Sequence, residues 1–331
     1  MIRAIHFQNF KALREATLPL GPFTLIVGPN GSGKSTAMQA LRFASDPDSY
    51  KFDEIVAAGW ERDSEPVVEV EIEWLEGGKQ TTIVSGKALK RTFGPAPRDD
   101  GFFGENLIRK LAGFRVFCFN ADALAKPVQT QRRAELGPDG SNLAAVLSTL
   151  QAREPERFDA LNRELQQWLP EFDRVVFDFP SAGNTEFLLR TSVGHHKYSA
   201  NDLSKGTLFA LAYLTLAYLP EPPVIVCFEE PDQGIHPRLL MDIRDAMYRL
   251  AFPEDYGEKR SPVQVIATTH SPYLLDLYKE HPEQIVIAHK DEKGAHFERL
   301  SDRPHISELL EGAPLGDIWF SGILGGVPAN P

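Results

Sequence analysis

The sequence predicts an α/β fold whose sheet is built from both ends of the chain, with the middle spent on a β-rich and helical elaboration. Three observations predict it. A short apolar run, Phe23-Thr-Leu-Ile-Val27, feeds a glycine turn and then a helical pattern from Lys34 to Ala44, the strand–turn–helix order of a phosphate-binding unit. Charge-free runs rich in β-branched residues return in the last third, at Val224–Phe228, Val263–Ala267 and Ile285–Ala288, as in a parallel sheet covered on both faces. Between these ends, Val67–Trp74 alternates apolar and polar residues, the period of a half-buried strand.

In chain order, Ile2, Ala4, Ile5 and Phe7 mark a first strand, and Phe23–Val27 a second. The helix after the glycines carries Ala37, Met38, Ala40, Leu41 and Ala44 on one side. Gln80–Val84 follows Val67–Trp74 across Glu-Gly-Gly-Lys, which predicts a β-hairpin. Arg91–Gly104, with its Gly-Pro-Ala-Pro and Asp-Asp-Gly, reads as an exposed loop, and Phe114–Phe119 as a strand. Residues 142–169 read as helices broken near Glu154-Pro155. Arg174–Phe179 and Glu186–Arg190 read as strands, Ser204–Leu219 and Arg238–Ala251 as helices, and His289, Asp291 and Glu292 as a hairpin turn.

The 331 residues are 42% hydrophobic and 24% charged, an ordinary globular composition with ample chain for a core. Lys+Arg 35 against Asp+Glu 46 leaves −11. Wholesale charge-driven binding to nucleic acid or an anionic membrane is therefore not expected, though a local basic patch is compatible with that balance. Lys87–Arg91 and Gln131–Arg133 are the candidate phosphate contacts, with solvated loops the stronger reading. Cys118 and Cys227 each sit in an apolar run, which predicts buried free thiols rather than a disulfide or metal site. The start lacks the apolar segment of a secretory signal, and the longest uncharged stretch, Gly206–Pro220, is too short to span a bilayer. A cytoplasmic protein without a membrane partner is the expectation.

Gly28-Pro-Asn30-Gly31-Ser32-Gly33-Lys34-Ser35, followed by Thr36, matches G-x-x-x-x-G-K-[ST] without a mismatch. Glycines let backbone N–H groups turn inward around phosphate oxygens. Lys34 then reaches the β- and γ-phosphates, and the Ser35 hydroxyl holds Mg2+. This predicts a bound nucleoside triphosphate, ATP or GTP. Val224-Ile-Val-Cys-Phe228 delivers Glu229 and Glu230 to the end of an apolar strand, where α/β sheets bind ligands. The first acid suits Mg2+ held through water; the second suits orienting or deprotonating the attacking water. Ahead of the helix that begins near residue 204, Ser204 reads as an N-cap. Gly206 clears space for an anion to approach the free amides.

Together these segments resemble the ATP-binding-cassette ATPases of the SMC, RecF and OLD type. Asn9-Phe10-Lys11-Ala12-Leu13 is similar to their N-terminal segment and Gly28–Ser35 to their Walker A motif. Leu203-Ser-Lys-Gly-Thr207 resembles their signature motif. Phe228-Glu-Glu-Pro-Asp232 resembles Walker B with the D-loop, and Thr268-Thr-His270-Ser-Pro272 the switch-histidine segment. Glu229 stands where Asp is more usual in cassette ATPases, a mark of the OLD-like branch. The resemblance implies a P-loop NTPase with an ABC-ATPase-like cassette, a mixed sheet, a β-rich N-terminal subdomain and a helical insertion. It places a nucleotide-binding core at 1–50 and 195–300, the elaboration at 51–190 and a tail at 301–331 of a single domain.

The same resemblance implies an ATPase working as a head-to-tail homodimer with ATP and Mg2+ between subunits. Asn30 and Lys34 would contact the phosphates, Ser35 and Glu229 would hold Mg2+, Glu230 would polarise the water, and His270 would reach the γ-phosphate region. Ser204 and Gly206 would come from the second subunit. Asp232 and His236 are expected at the dimer interface or, alternatively, as the entry to a helix begun by Pro237. Asn120 or Asp122 is the candidate for the Q-loop position, and Lys11 and Arg14 approach the nucleotide or are surface charges. The interval from Ser35 to Leu203 shows no sustained heptads, and about sixty residues follow His270, so neither a coiled-coil arm nor a Toprim nuclease domain is expected. The effector is expected to be another protein, encoded separately, in phage defence or DNA repair. The alternatives are a slow-hydrolysing ATP-sensing module, a P-loop small-molecule kinase and a transporter subunit.

Overall fold

The computed structural model describes residues 1–57, 67–85, 88–94, 103–131, 134–181, 183–292 and 294–325. The chain runs β1 (Ile2–Phe10), β2 (Leu13–Pro19) and β3 (Phe23–Val27) into α1 (Lys34–Ser45) and a short α2 (Phe52–Ile55). Next come β4 (Val67–Trp74), β5 (Lys79–Ser85), β6 (Ala88–Phe93), α3 (Phe103–Ala112) and β7 (Phe114–Phe117). It continues through α4 (Ala121–Leu124), β8 (Val128–Gln129), α5 (Leu143–Arg153), α6 (Pro155–Trp168), β9 (Phe172–Asp178), β10 (Asn184–Thr191), β11 (Lys197–Ser199) and α7 (Lys205–Tyr218). After β12 (Ile225–Glu229) come α8 (Pro237–Ala251), β13 (Gln264–Thr269), α9 (Pro272–Asp276), β14 (Ile285–Asp291), β15 (Gly294–Arg299), α10 (Ile306–Gly312) and α11 (Leu315–Phe320). Two compact units result: Met1–Arg115 with Pro223–Glu230 and Val263–Pro331, and Val116–Pro222 with Pro231–Pro262.

The first unit holds a mixed sheet in the order β15-β14-β3-β13-β12-β7, the unit boundary falling inside β7. Strands β14, β3, β13 and β12 are parallel, while β15 returns antiparallel to β14. Every residue of β3 and β13 is buried, the consequence of a sheet covered on both faces. A second, antiparallel sheet runs β2-β1-β4-β5-β6. Its β4 alternates buried and accessible positions, as one-sided strands do. The mixed sheet and the β-rich N-terminal part agree with the expected fold class.

The second unit is helical, with a small antiparallel sheet in which β10 pairs with β8, β9 and β11. Helix α7 is apolar on all sides and buried from Thr207 to Tyr218, apart from a half-buried Phe209, as a core helix must be. The Thr215 hydroxyl within it donates to the Leu211 carbonyl at 2.7 Å. Arg249 of α8 pairs with Glu164 at 2.9 Å and lies over the Tyr218 ring at 4.6 Å. Tyr218 donates to the same carboxylate, and burial together with Glu164 holds its phenol well above the ordinary value.

Several expectations change. Leu13–Pro19 and Gly294–Arg299 are strands that the residue pattern does not announce. Within Arg91–Gly104, read as a loop, the chain is strand to Phe93 and helix from Phe103, and 95–102 lie outside the described residues. Cys227 is buried, but Cys118 is exposed because its strand ends one residue earlier, at Phe117.

Gln264 is a pin that sequence reading does not find. Its side chain is wholly buried at the start of β13, accepts from the Ile2 N–H at 2.7 Å, and donates to the carbonyls of Ile2 at 2.6 Å and Gly21 at 2.9 Å. Replacing it by Leu strands these buried backbone groups, so Gln264→Leu should lower stability by about 2–4 kcal/mol in urea denaturation. An unchanged midpoint would show that water replaces all three bonds.

Candidate functional site

The site is assembled by strand register in the first unit. In β3 against β13, Ile26 pairs with Thr268 and Val27 with Thr269; in β12 against β13, Glu229 pairs with Thr268. Parallel strands in that register deliver three segments to one edge of the sheet: Gly28–Thr36, Glu229-Glu230 and Thr268–His270. That edge, beyond the carboxyl ends, is where α/β sheets bind ligands.

The loop's glycines are required by space and by backbone. A Cβ on Gly28 would collide with the Ala288 carbonyl and lie 2.8 Å from Ser32 Oγ. Gly33, the N-cap of α1, has φ +99, and a Cβ there would meet Ala295 Cβ at 2.7 Å and Leu13 Cδ2 at 3.2 Å. Gly31 has φ +78 and opens onto free space. No side chain caps α1, so its first-turn amides remain for an anion. The Ser32 hydroxyl is buried without a hydrogen-bond partner. Lys34 is 6% exposed, and its ammonium donates to the carbonyls of Gly28 at 2.8 Å and Pro29 at 3.0 Å. Burial pushes its pKa down to about 8, against an upward pull from Glu230. Ser35 and Asn30 are exposed and Thr36 half-buried.

Glu229 and Glu230 are both half-buried. Glu230 leaves the strand at φ 48, the left-handed region a non-glycine residue occupies only at a cost. Its N–H is fixed by the Thr268 carbonyl at 3.0 Å, and its carboxylate meets His270 Nε2 at 3.2 Å. The Ser271 N–H donates to Thr269 Oγ1 at 2.9 Å, and Ser271 caps α9, which fixes the turn carrying His270.

Ser204 and Gly206 belong to the second unit. Ser204 is the N-cap of α7, its hydroxyl accepting from the Thr207 N–H at 3.1 Å. A Cβ on Gly206 would meet only ordinary contacts, at 3.7 Å and 3.8 Å, so packing within that unit does not demand a glycine. His236 caps α8 ahead of Pro237, its Nδ1 accepting from the Arg238 N–H at 3.2 Å, which is the helix-entry alternative. The Asp232 carbonyl accepts from the Ile235 N–H at 3.2 Å in the same turn. Asn120 caps α4 and Asp122 is exposed on it. In the first unit Lys11 donates to Gln39 of α1 at 2.9 Å. Lys87, Arg132 and Arg133 lie outside the described residues.

A family model described as "AAA domain, putative AbiEii toxin, Type IV TA system" matches residues 95–276, more than half of the chain. The chain belongs to that AAA domain family. The AAA ATPase domain model matches residues 1–92. An OLD nuclease from Thermus scotoductus is 49% identical over 41 residues, which are 12% of this chain and only 8% of that nuclease. The fold is that of SMC heads. An SMC head bound to the C-terminal winged-helix domain of ScpA aligns over 90% of this chain and 96% of its own at TM-score 0.62 and 16% identity. The SMC head domain from Thermotoga maritima aligns over 90% and 98% at 0.51 and 14%. The chain is thus an AAA ATPase-domain protein with the fold of an SMC head.

The family implies ATP and Mg2+, and the residues suit both. The orphaned Ser32 hydroxyl and uncapped α1 amides suit phosphate oxygens. Ser35 and Glu229 offer the hard oxygen donors Mg2+ prefers. Among the described residues no three His, Cys, Asp or Glu side chains cluster to hold a metal. Among the same residues no helix is long and apolar enough to cross a membrane. Sequence reasoning missed the wall behind the loop: Ala288 and Ala295 stand against Gly28 and Gly33. The small side chain of Ala295 was the available signal, whereas Ala288 acts through its backbone carbonyl.

Two predictions follow from the loop. Gly33→Ala should weaken binding of a fluorescent ATP analogue by more than about tenfold, because it adds both a clash and a strained φ. Near-native affinity would show that β15 yields instead. Burial lowers the Lys34 pKa to about 8, below the ordinary lysine value of the unfolded chain, so the unfolded chain binds more protons between the two values. Its contribution to stability therefore rises with pH through that window. Wild type minus Lys34→Met stability should increase from about pH 7.5 to pH 10, and a flat difference would place the ammonium in solvent.

Proposed function

We propose that the protein binds and hydrolyses ATP as a nucleotide-gated, head-to-tail homodimer. The observation that carries this reading is the convergence on one sheet edge of the phosphate loop, Glu229-Glu230 and a His270 that holds Glu230 at 3.2 Å. On binding, Lys34 exchanges the carbonyls of Gly28 and Pro29 for the β- and γ-phosphates, and the amides from Gly31 to Thr36, with the Ser32 hydroxyl and Asn30, close around them. Ser35 and Glu229 would hold Mg2+, which would supply charge neutralisation to the phosphates. Glu230 orients the attacking water and takes its proton. His270 keeps that carboxylate aimed and reaches the γ-phosphate region. Ser204 and Gly206 of a second copy cap the γ-phosphate with hydroxyl and amides at a helix N-terminus.

A separately encoded protein effector, in phage defence or DNA repair, fits a family whose description includes a toxin–antitoxin system. A slow-hydrolysing ATP sensor is the second reading, favoured by the Glu230 carboxylate and Ser204 hydroxyl both being engaged already. ATPase rate per subunit against protein concentration, with mass by light scattering, separates them. The rate should rise with concentration. Glu230→Gln should lose about 100-fold or more in kcat while forming a stable ATP-dependent dimer. A concentration-independent rate with Ser204→Arg fully active would end the dimer reading, and a wild-type rate no faster than that of Glu230→Gln would leave the sensor.

A further inference from the structure

His270 lies just ahead of α9, and α9 is held from the side by α11 of the same unit. The point of contact is Gly316. A Cβ there would lie 2.7 Å from the Pro272 carbonyl oxygen, 2.8 Å from Pro272 Cβ and 3.0 Å from the Pro272 carbonyl carbon. These are backbone and ring atoms, so none can step aside as the end of a flexible side chain does. The Gly316 N–H donates to Asp276 Oδ1 at 2.6 Å. Pro272 and Asp276 are the first and last residues of α9. Four apart, they share one face of that helix, so a single glycine engages both of its ends.

Nothing within α11 asks for glycine at this position. Gly316 is the second residue of the helix, its φ lies outside the left-handed region, and alanine is the better helix former. Close approach to α9 is what alanine would forbid. Pro314, the N-cap of α11, supplies no side-chain cap, and Asp276 takes that role from outside by accepting a first-turn N–H. Leu315, wholly buried, with Ile318 at 5% and Trp319 at 8% exposure, anchors α11 in the core. On the other side of the contact the chain has little slack. The Ser271 N–H is tied to Thr269 Oγ1 at 2.9 Å, and the Pro272 ring fixes its own φ. A displacement of Pro272 therefore reaches His270 and its 3.2 Å contact with Glu230.

We propose that Gly316 and Asp276 are positioning residues for the ATPase site, an assignment that rests on the role given to His270 above. By fixing Pro272 and α9 they set where the His270 ring meets Glu230. Helix α11 is then a brace on the turn that carries His270, and a change at α11 alters turnover without touching the phosphate loop.

The test uses the full chain. Gly316→Ala should lower kcat by about tenfold or more while KM for ATP stays within about twofold, which also shows that the variant is folded. Asp276→Ala should lower kcat as well, and Asp276→Asn, which keeps an oxygen for the Gly316 N–H, should recover most of that loss. In a His270→Ala background the Gly316→Ala loss should vanish. Ring resonances of 15N-labelled histidine, with His270→Gln identifying the signal, read the same displacement without turnover. The His270 signal should move in Gly316→Ala, and an unmoved signal would overturn the proposal. Where His270→Ala itself lowers kcat, wild-type kcat in both Gly316→Ala and Asp276→Ala would also overturn it. So would an equal fractional loss from Gly316→Ala with and without His270. Wild-type kcat in His270→Ala would instead end the role given to His270, and the ring signal alone then decides the brace.

Discussion

The parallel pairing of β13 with both β3 and β12 is the constraint on which the candidate site depends. Because β3 and β13 are buried on both faces, a one-residue slip would exchange two fully packed surfaces. The register is therefore fixed by the core, and Val27, Thr269 and Glu229 inherit it. The two ends of β13 divide the labour. Gln264 at its start anchors the backbone of Ile2 and Gly21, and Thr268 at its end holds the Glu230 N–H. Six residues thus connect the anchoring of the N-terminal strand to the aim of a carboxylate.

Polar groups at the site are satisfied by one another in a way a ligand can replace. The Lys34 ammonium rests on two carbonyls of its own loop, and Glu230 rests on His270. Each bond is charge-assisted and stronger than a neutral one, so only an equally charged ligand competes for them. The Ser32 hydroxyl has no such substitute, and its unmet bond favours occupancy of the loop. The loop is held open by shape, through the walls of Ala288 and Ala295, and held ready by charge.

What the sequence disclosed follows from whether a feature is local. Phe23–Val27, the start of α1 at Lys34 and the break at Pro155 coincide with the structure because their causes lie within a few residues: β-branched runs, a glycine turn and a proline at the first helical position. β2 was hidden because Leu13, Ala16 and Leu18 are buried at uneven spacing. β15 was hidden because its burial fades after Ala295 rather than alternating. Cys118 was misjudged because an apolar run does not say where its strand stops. The Glu230–His270 contact joins residues forty positions apart, and motif order suggested its members without giving their distance. Gln264, a polar residue in an apolar run, had no local signal for its three backbone partners.

The backbone at Glu230 sets stability against chemistry. At φ 48 glycine or asparagine would sit more comfortably, by about 1 kcal/mol. Neither carries a carboxylate. A library selected only for thermal tolerance would drift away from glutamate at this position while every other measure of the fold improved. The proposed water-orienting carboxylate would be lost without any loss of fold.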